Sequence, residues 1–161
     1  MRILSLGAAL ATVALALPVT AHATTPAAHD PVPRAAGVTP RSDHWEARVV
    51  ALTNRRRDAH GVKPLRAAAC PDGFAERWTR HMATTRVLEH QDLAPMLGCP
   101  RTSTAGENIA YGFTTPRALV SAWMHSAGHR ANILNPHFHR IGVSGWRATD
   151  GVTYATQDFV G

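Results

Sequence analysis

The hydrophobic period changes once along this chain, and that change bounds the fold. Up to Met124, apolar residues recur at helical spacing; from Ile141 onward they alternate. Trp45, Val49 and Leu52 stand at i, i+4 and i+7, and Phe74, Trp78 and Met82 at i, i+4 and i+8. Leu119 and Trp123 lie one turn apart, as do Val120 and Met124. Ile141 and Val143 then alternate with small or polar residues, and Asp150-Gly151 is a hairpin signal. From Val152 to Val160, Ala155 and Phe159 fall on one side, with Val152 and Tyr154 on the other. Helices first and an antiparallel pair last predict an α+β fold, with helices packed on a small sheet.

Punctuation places the elements. Asp43 and Glu46 have capping-box spacing at the start of the first helix, and Gly61 with Pro64 stops it. The second helix starts near Pro71, right after Cys70, and frays near Arg86. The third has Thr115 as N-cap and Pro116 at its first position, with Gly128 as its end. Residues 90–114, broken by Gly and Pro, read as a long loop region, the kind of stretch that often carries a functional surface.

The N-terminus reads as an export signal. Arg2 precedes an apolar run from Ile3 to Leu17; Pro18 ends it, and Ala21-His22-Ala23 forms an A-x-A cleavage pattern. The run is too short to span a bilayer, which takes about 20 residues, so no stable transmembrane anchor is expected. Residues 1–23 are therefore assigned to a signal peptide, 24–43 to a flexible Pro/Ala/Thr-rich leader and 44–161 to one domain, within a chain of 161 residues. The expected location is secreted, extracellular or cell-wall associated. Cys70 and Cys99 are the only cysteines. In an oxidising compartment an even pair reads as a disulfide, with two buried thiols as the alternative.

Net charge is +6, and all but Lys63 of the basic side chains are arginines. Such a charge favours anionic partners, here a cell-wall polymer or lipid headgroups. Nucleic acid is disfavoured for an exported chain without an aromatic-rich basic groove. Arg55-Arg56-Arg57 reads as a solvated helical face.

Four stretches resemble the CAP superfamily of cysteine-rich secretory, antigen 5 and pathogenesis-related 1 proteins, in the form of its short bacterial secreted members. They are Leu52-Thr53-Asn54-Arg55-Arg56-Arg57, then Leu88-Glu89-His90, then Ala105-Gly106-Glu107-Asn108-Ile109-Ala110, and finally Ala122-Trp123-Met124 with Gly128-His129-Arg130-Ala131-Asn132-Ile133-Leu134-Asn135-Pro136. The resemblance runs from about Trp45 to Gly161. It implies an α-β-α sandwich with a small antiparallel sheet between helical layers. It also implies a cleft where His90, Glu107 and His129 meet, matching three of four family positions. The fourth, a glutamate in eukaryotic members, is Ser126 here.

Two imidazoles can hold a divalent cation such as zinc, with Glu107 as a third ligand or as the group that orients a ligand histidine. The alternative is a hydrogen-bonded His–Glu–His cluster with a structural role. Three functional classes follow: an extracellular binding module; a metal-dependent hydrolase of wall glycan, peptide or lipid, with any catalytic role falling to Glu107, His90 and His129; and a structural surface protein. No nucleophile–base pair is visible, which favours the first. His125 and His129 have H-x-x-x-H spacing, but Ser126 replaces the required glutamate and Gly128 is expected to break the helix between them. Ser144 reads as a strand residue, His137 and His139 as surface residues flanking Phe138, and Trp78 and Trp123 as core.

Overall fold

The computed structural model describes residues 37–161. The segment read as a signal peptide and most of the expected leader lie outside the described residues. Among the described residues, five strands and four helices follow in the order β1 (Thr39–Pro40), α1 (Asp43–Asp58), β2 (Arg66–Ala67), α2 (Ala69–Thr85), β3 (Ala105–Tyr111), α3 (Pro116–His125), α4 (Ala127–Leu134), β4 (Arg140–Arg147) and β5 (Thr153–Val160). A short 3-10 helix covers Ala94–Gly98.

The sheet runs β1-β4-β5-β3, antiparallel throughout, with the two-residue β2 added parallel to β4. Alternation along the two long strands sorts side chains to opposite faces. Ile141, Val143, Ala155 and Phe159 pack with Trp45, Val49, Leu119, Trp123 and Ile133 from α1, α3 and α4. On the other face Trp146, Tyr154 and Ile109 meet Met82 and Ala83 of α2. The expected sandwich is therefore present: α1, α3 and α4 on one face, α2 on the other.

Several local readings need correction. The segment 90–114 is not all loop: β3 lies inside it, paired along its whole length with β5. The third helix stops at His125, not Gly128; Ser126 leaves the helical region at φ −98°, ψ 124°, and α4 restarts at Ala127. Ser42, not Asp43, caps α1, accepting from the Trp45 amide, and Glu46 accepts instead from the Gly145 amide of β4. β1 lies within the segment assigned to the leader. Trp123 is core, but Trp78 is only half-buried; its indole donates to the Glu89 carbonyl. His137 and His139 are exposed as expected, ahead of β4 rather than on a strand.

Arg57 corrects the reading of the arginine run. Arg55 and Arg56 are exposed, whereas Arg57 is fully buried. Its guanidinium donates to the carbonyls of Lys63, Ile133, Asn135 and Phe138, tying α1 to the end of α4 and the loop beyond it.

Cys70 and Cys99 are joined, with Cα atoms 5.9 Å apart. The bond ties the first turn of α2 to the segment leading into β3. Beside it, α2 and β4 approach backbone to backbone: a Cβ on Gly142 would collide with the Asp72 backbone nitrogen. The Asp72 carboxylate accepts from the Val143 amide at the same place.

Candidate functional site

The site is a cleft of about 520 Å³, lined among others by His90, Gln91, Glu107, Ser126, His129 and Asn132. Each comes from a position the fold dictates. β3, an edge strand, carries Glu107 inward. The Ser126 break between α3 and α4 turns the chain so that His129, on the first turn of α4, faces the same space. His90 and Gln91 arrive on the loop after α2.

Glu107 and His90 form the centre. The His90 Nδ1–H donates to Glu107 Oε1 at 2.6 Å; the histidine side chain is 62% exposed and the glutamate 1%. Gln91 also binds that carboxylate, its amide N–H donating to Oε1 at 3.3 Å and its side-chain Nε2 to Oε2 at 2.7 Å. Both oxygens of Glu107 are thus committed. With Nδ1 as donor, the neutral His90 ring keeps its lone pair on Nε2.

His129 lines the cleft. Burial first, and the nearby His90 second, lower its pKa, which favours the neutral ring. Its backbone carbonyl accepts from Asn108 Nδ2, and Asn132 Nδ2 donates to the Glu107 carbonyl and to Asn108 Oδ1. Two asparagines thereby lock α4, which carries His129, onto β3, which carries Glu107. Gly106 is required here: a Cβ would come 2.7 Å from the Phe138 ring.

The structure brings His90 and Glu107 into direct contact and places His129 in the same cleft. Among the described residues, no three His, Cys, Asp or Glu side chains form a group able to hold a metal ion. Two imidazoles with a carboxylate behind one of them is the donor set present. His125 is exposed and donates to the Ser121 carbonyl, outside the cleft. Arg130 reaches His60 rather than the cleft. Ser144 is a strand residue, bound to Glu76.

Asp158 and Gln91 were not singled out from the sequence. Asp158 is the register partner of Glu107 on β5, fully buried, and accepts from Gln91 Nε2 at 3.0 Å. Burial, then the charge of Glu107, push its pKa up to about 8. The available signal was a strongly polar pair, Gln157-Asp158, directly before the apolar Phe159-Val160 of the strand. Gln157 is buried too, donating to Thr53.

Residues 50–159 match the family described as CAP, the cysteine-rich secretory protein family. The uncharacterized protein YkwD of Bacillus subtilis is 39% identical over 126 residues, which are 73% of this chain and 47% of YkwD. An extracellular protein of Bacillus anthracis that contains an SCP domain superposes with a TM-score of 0.63 at 27% identity, over 73% of this chain and 40% of that one. An outer surface protein of Borrelia burgdorferi shares the fold at a TM-score of 0.69 and 15% identity, over 76% of this chain and 96% of its own. The chain thus spans about half the length of YkwD.

Proposed function

The chain belongs to the cysteine-rich secretory protein (CAP) family, and from that premise we propose that it is an exported binding module whose polar cleft takes an extracellular ligand without turning it over. The commitment of Glu107 carries this reading. A metal hydrolase needs a base and an open coordination position. Both Glu107 oxygens already accept hydrogen bonds from His90 and Gln91. The other acid, Asp158, is fully buried, with burial raising its pKa. Ser126 lines the cleft, but an unactivated hydroxyl is a weak base at neutral pH.

Binding asks for less. The cleft offers the His90 Nε2, the His129 ring and the Ser126 hydroxyl to a polar ligand. A divalent ion such as zinc would find two protein ligands, His90 and His129, with Glu107 orienting His90 from behind and the remaining positions left to water or the ligand. When bound, such an ion supplies positive charge for an anionic group of the ligand. The basic composition supports a wall polymer or lipid headgroup as the source of that group. Export is supported by the A-x-A leader and by the extracellular Bacillus anthracis relative. Among the described residues, no helix is long and apolar enough to cross a membrane.

The test incubates the mature protein, with and without zinc, with wall fragments, peptides and lipid esters, beside Glu107→Gln and His129→Ala. Saturable binding without product is expected. Product formed by the wild type and lost in both variants would establish the hydrolase instead.

A further inference from the structure

We propose that a second cleft, separate from His90 and His129, binds phosphate-type oxyanions in water, either free or carried on a soluble polymer. It has a volume of about 390 Å³ and is lined by Arg66, Pro100, Arg101, His139 and Arg140.

Three arginines line it, and the sheet sets two of them side by side. Arg66 and Arg140 are register partners in the parallel β2–β4 pair, so their side chains leave the same face side by side. Like charges so placed repel. Among the described residues, none of the three arginines pairs with a carboxylate; the ion pairs present join His81 to Glu89, Arg86 to Asp150 and His90 to Glu107.

Arg140 is also held in place. Arg140 Nη2 donates to the Arg101 carbonyl at 3.1 Å and to Thr102 Oγ1 at 2.7 Å, which leaves its Nε and Nη1 without a protein acceptor among the described residues. Arg101 sits at φ 55°, a left-handed conformation unfavourable for a residue with a Cβ. The Cys70–Cys99 bond lies four residues after Arg66 and two before Arg101, and so ties the two segments together covalently. Uncompensated guanidinium N–H donors from three arginines lining one cleft suit a tetrahedral oxyanion, which accepts from several N–H groups at once.

The lining argues against a membrane surface. Pro100 is its sole apolar residue, and the large exposed apolar side chains Val87, Leu88, Leu97 and Tyr111 all lie outside it. Insertion into a bilayer would need such groups beside the cations.

The experiment titrates the mature chain with inorganic phosphate and with linear polyphosphate by calorimetry at low salt. Both should bind, polyphosphate the more tightly if the natural source is a polymer, and phosphate the more tightly if it is the free ion. The double variant Arg66→Gln, Arg101→Gln should weaken binding by about tenfold or more. Arg55→Gln, Arg56→Gln removes the same charge from another arginine-lined groove, and should weaken it by less than about twofold. His129→Ala should leave it unchanged, which separates this site from the first cleft. The single variant Arg101→Gln serves if the double variant loses its fold. Equal weakening by the two double variants would reduce the effect to net charge and overturn the proposal. So would binding to phosphatidylglycerol vesicles with no binding of either phosphate probe.

Discussion

Glu107 and Asp158 face each other across the β3–β5 ladder, and one side chain, Gln91, donates to both carboxylates. Two buried acids in register cannot both carry full charge cheaply. Asp158 yields, its pKa pushed up to about 8 by burial and then by Glu107.

Stability should therefore fall as pH rises. Asp158 in the folded state holds its proton up to about 8, whereas the unfolded residue loses it near 3.8. Between those values the folded state binds more protons, so the slope of stability with pH is negative. Glu46, raised to about 7 by burial, adds to the slope in the same direction. Asp158→Asn should flatten the profile and raise Tm at pH 8 by at least about 3 °C; Glu46→Gln should remove much of the remainder. Thermal melts at pH 5 and pH 8 measure both. A wild type no less stable at pH 8 than at pH 5 would contradict this.

Removing Arg57 should cost far more than removing its neighbours. Four carbonyls lose their donor in Arg57→Ala, a loss of about 3–5 kcal/mol. Arg55→Ala, at an exposed position, should stay within about 0.5 kcal/mol of the wild type. Urea denaturation of the two variants reads the contrast directly.

Reduction of the Cys70–Cys99 bond should lower stability by about 3–4 kcal/mol, the chain-entropy value for a loop of this size, since the sequence separation is 29. Cys70→Ser, Cys99→Ser should show the same loss without reductant. A Tm unmoved by reduction would contradict it.

Zinc should raise Tm near neutral pH if His90 and His129 share an ion, through linkage between binding and folding. The gain should fade below about pH 6, because a protonated imidazole cannot ligate. His129→Ala should abolish it and His139→Ala should not. Equal shifts in both variants would separate the effect from this cleft.

How much of this was legible varies by residue. Trp45 and Val49 announced the buried face of α1, and Thr115-Pro116 the start of α3, because those signals are local. Arg57 reads as solvated by its charge, although Val49, Thr53 and Arg57 continue the same four-residue stripe from Trp45. β3 reads as loop in the sequence because Gly106, Glu107 and Asn108 carry turn and polar chemistry, and only partners elsewhere in the chain satisfy them in a strand. The pairing of Glu107 with Asp158 depends on strand register over 51 residues of chain, which no local pattern encodes. His90, Glu107 and His129 came from family resemblance, and the cleft that unites them depends on the break at Ser126.

At Gly142 the helix α2 and the strand β4 touch without any side chain between them. A helix seated on side chains can shift as rotamers adjust; one seated on backbone has no such slack. The start of α2 is thus clamped three ways, by that contact, by the Asp72–Val143 hydrogen bond and by the disulfide. Breathing of this layer is expected to begin at the far end, past the buried Met82 and Ala83, at the exposed residues 84–86. Amide protons around Ile141–Val143 should be among the last to exchange with solvent, and those of the final turn of α2 among the first.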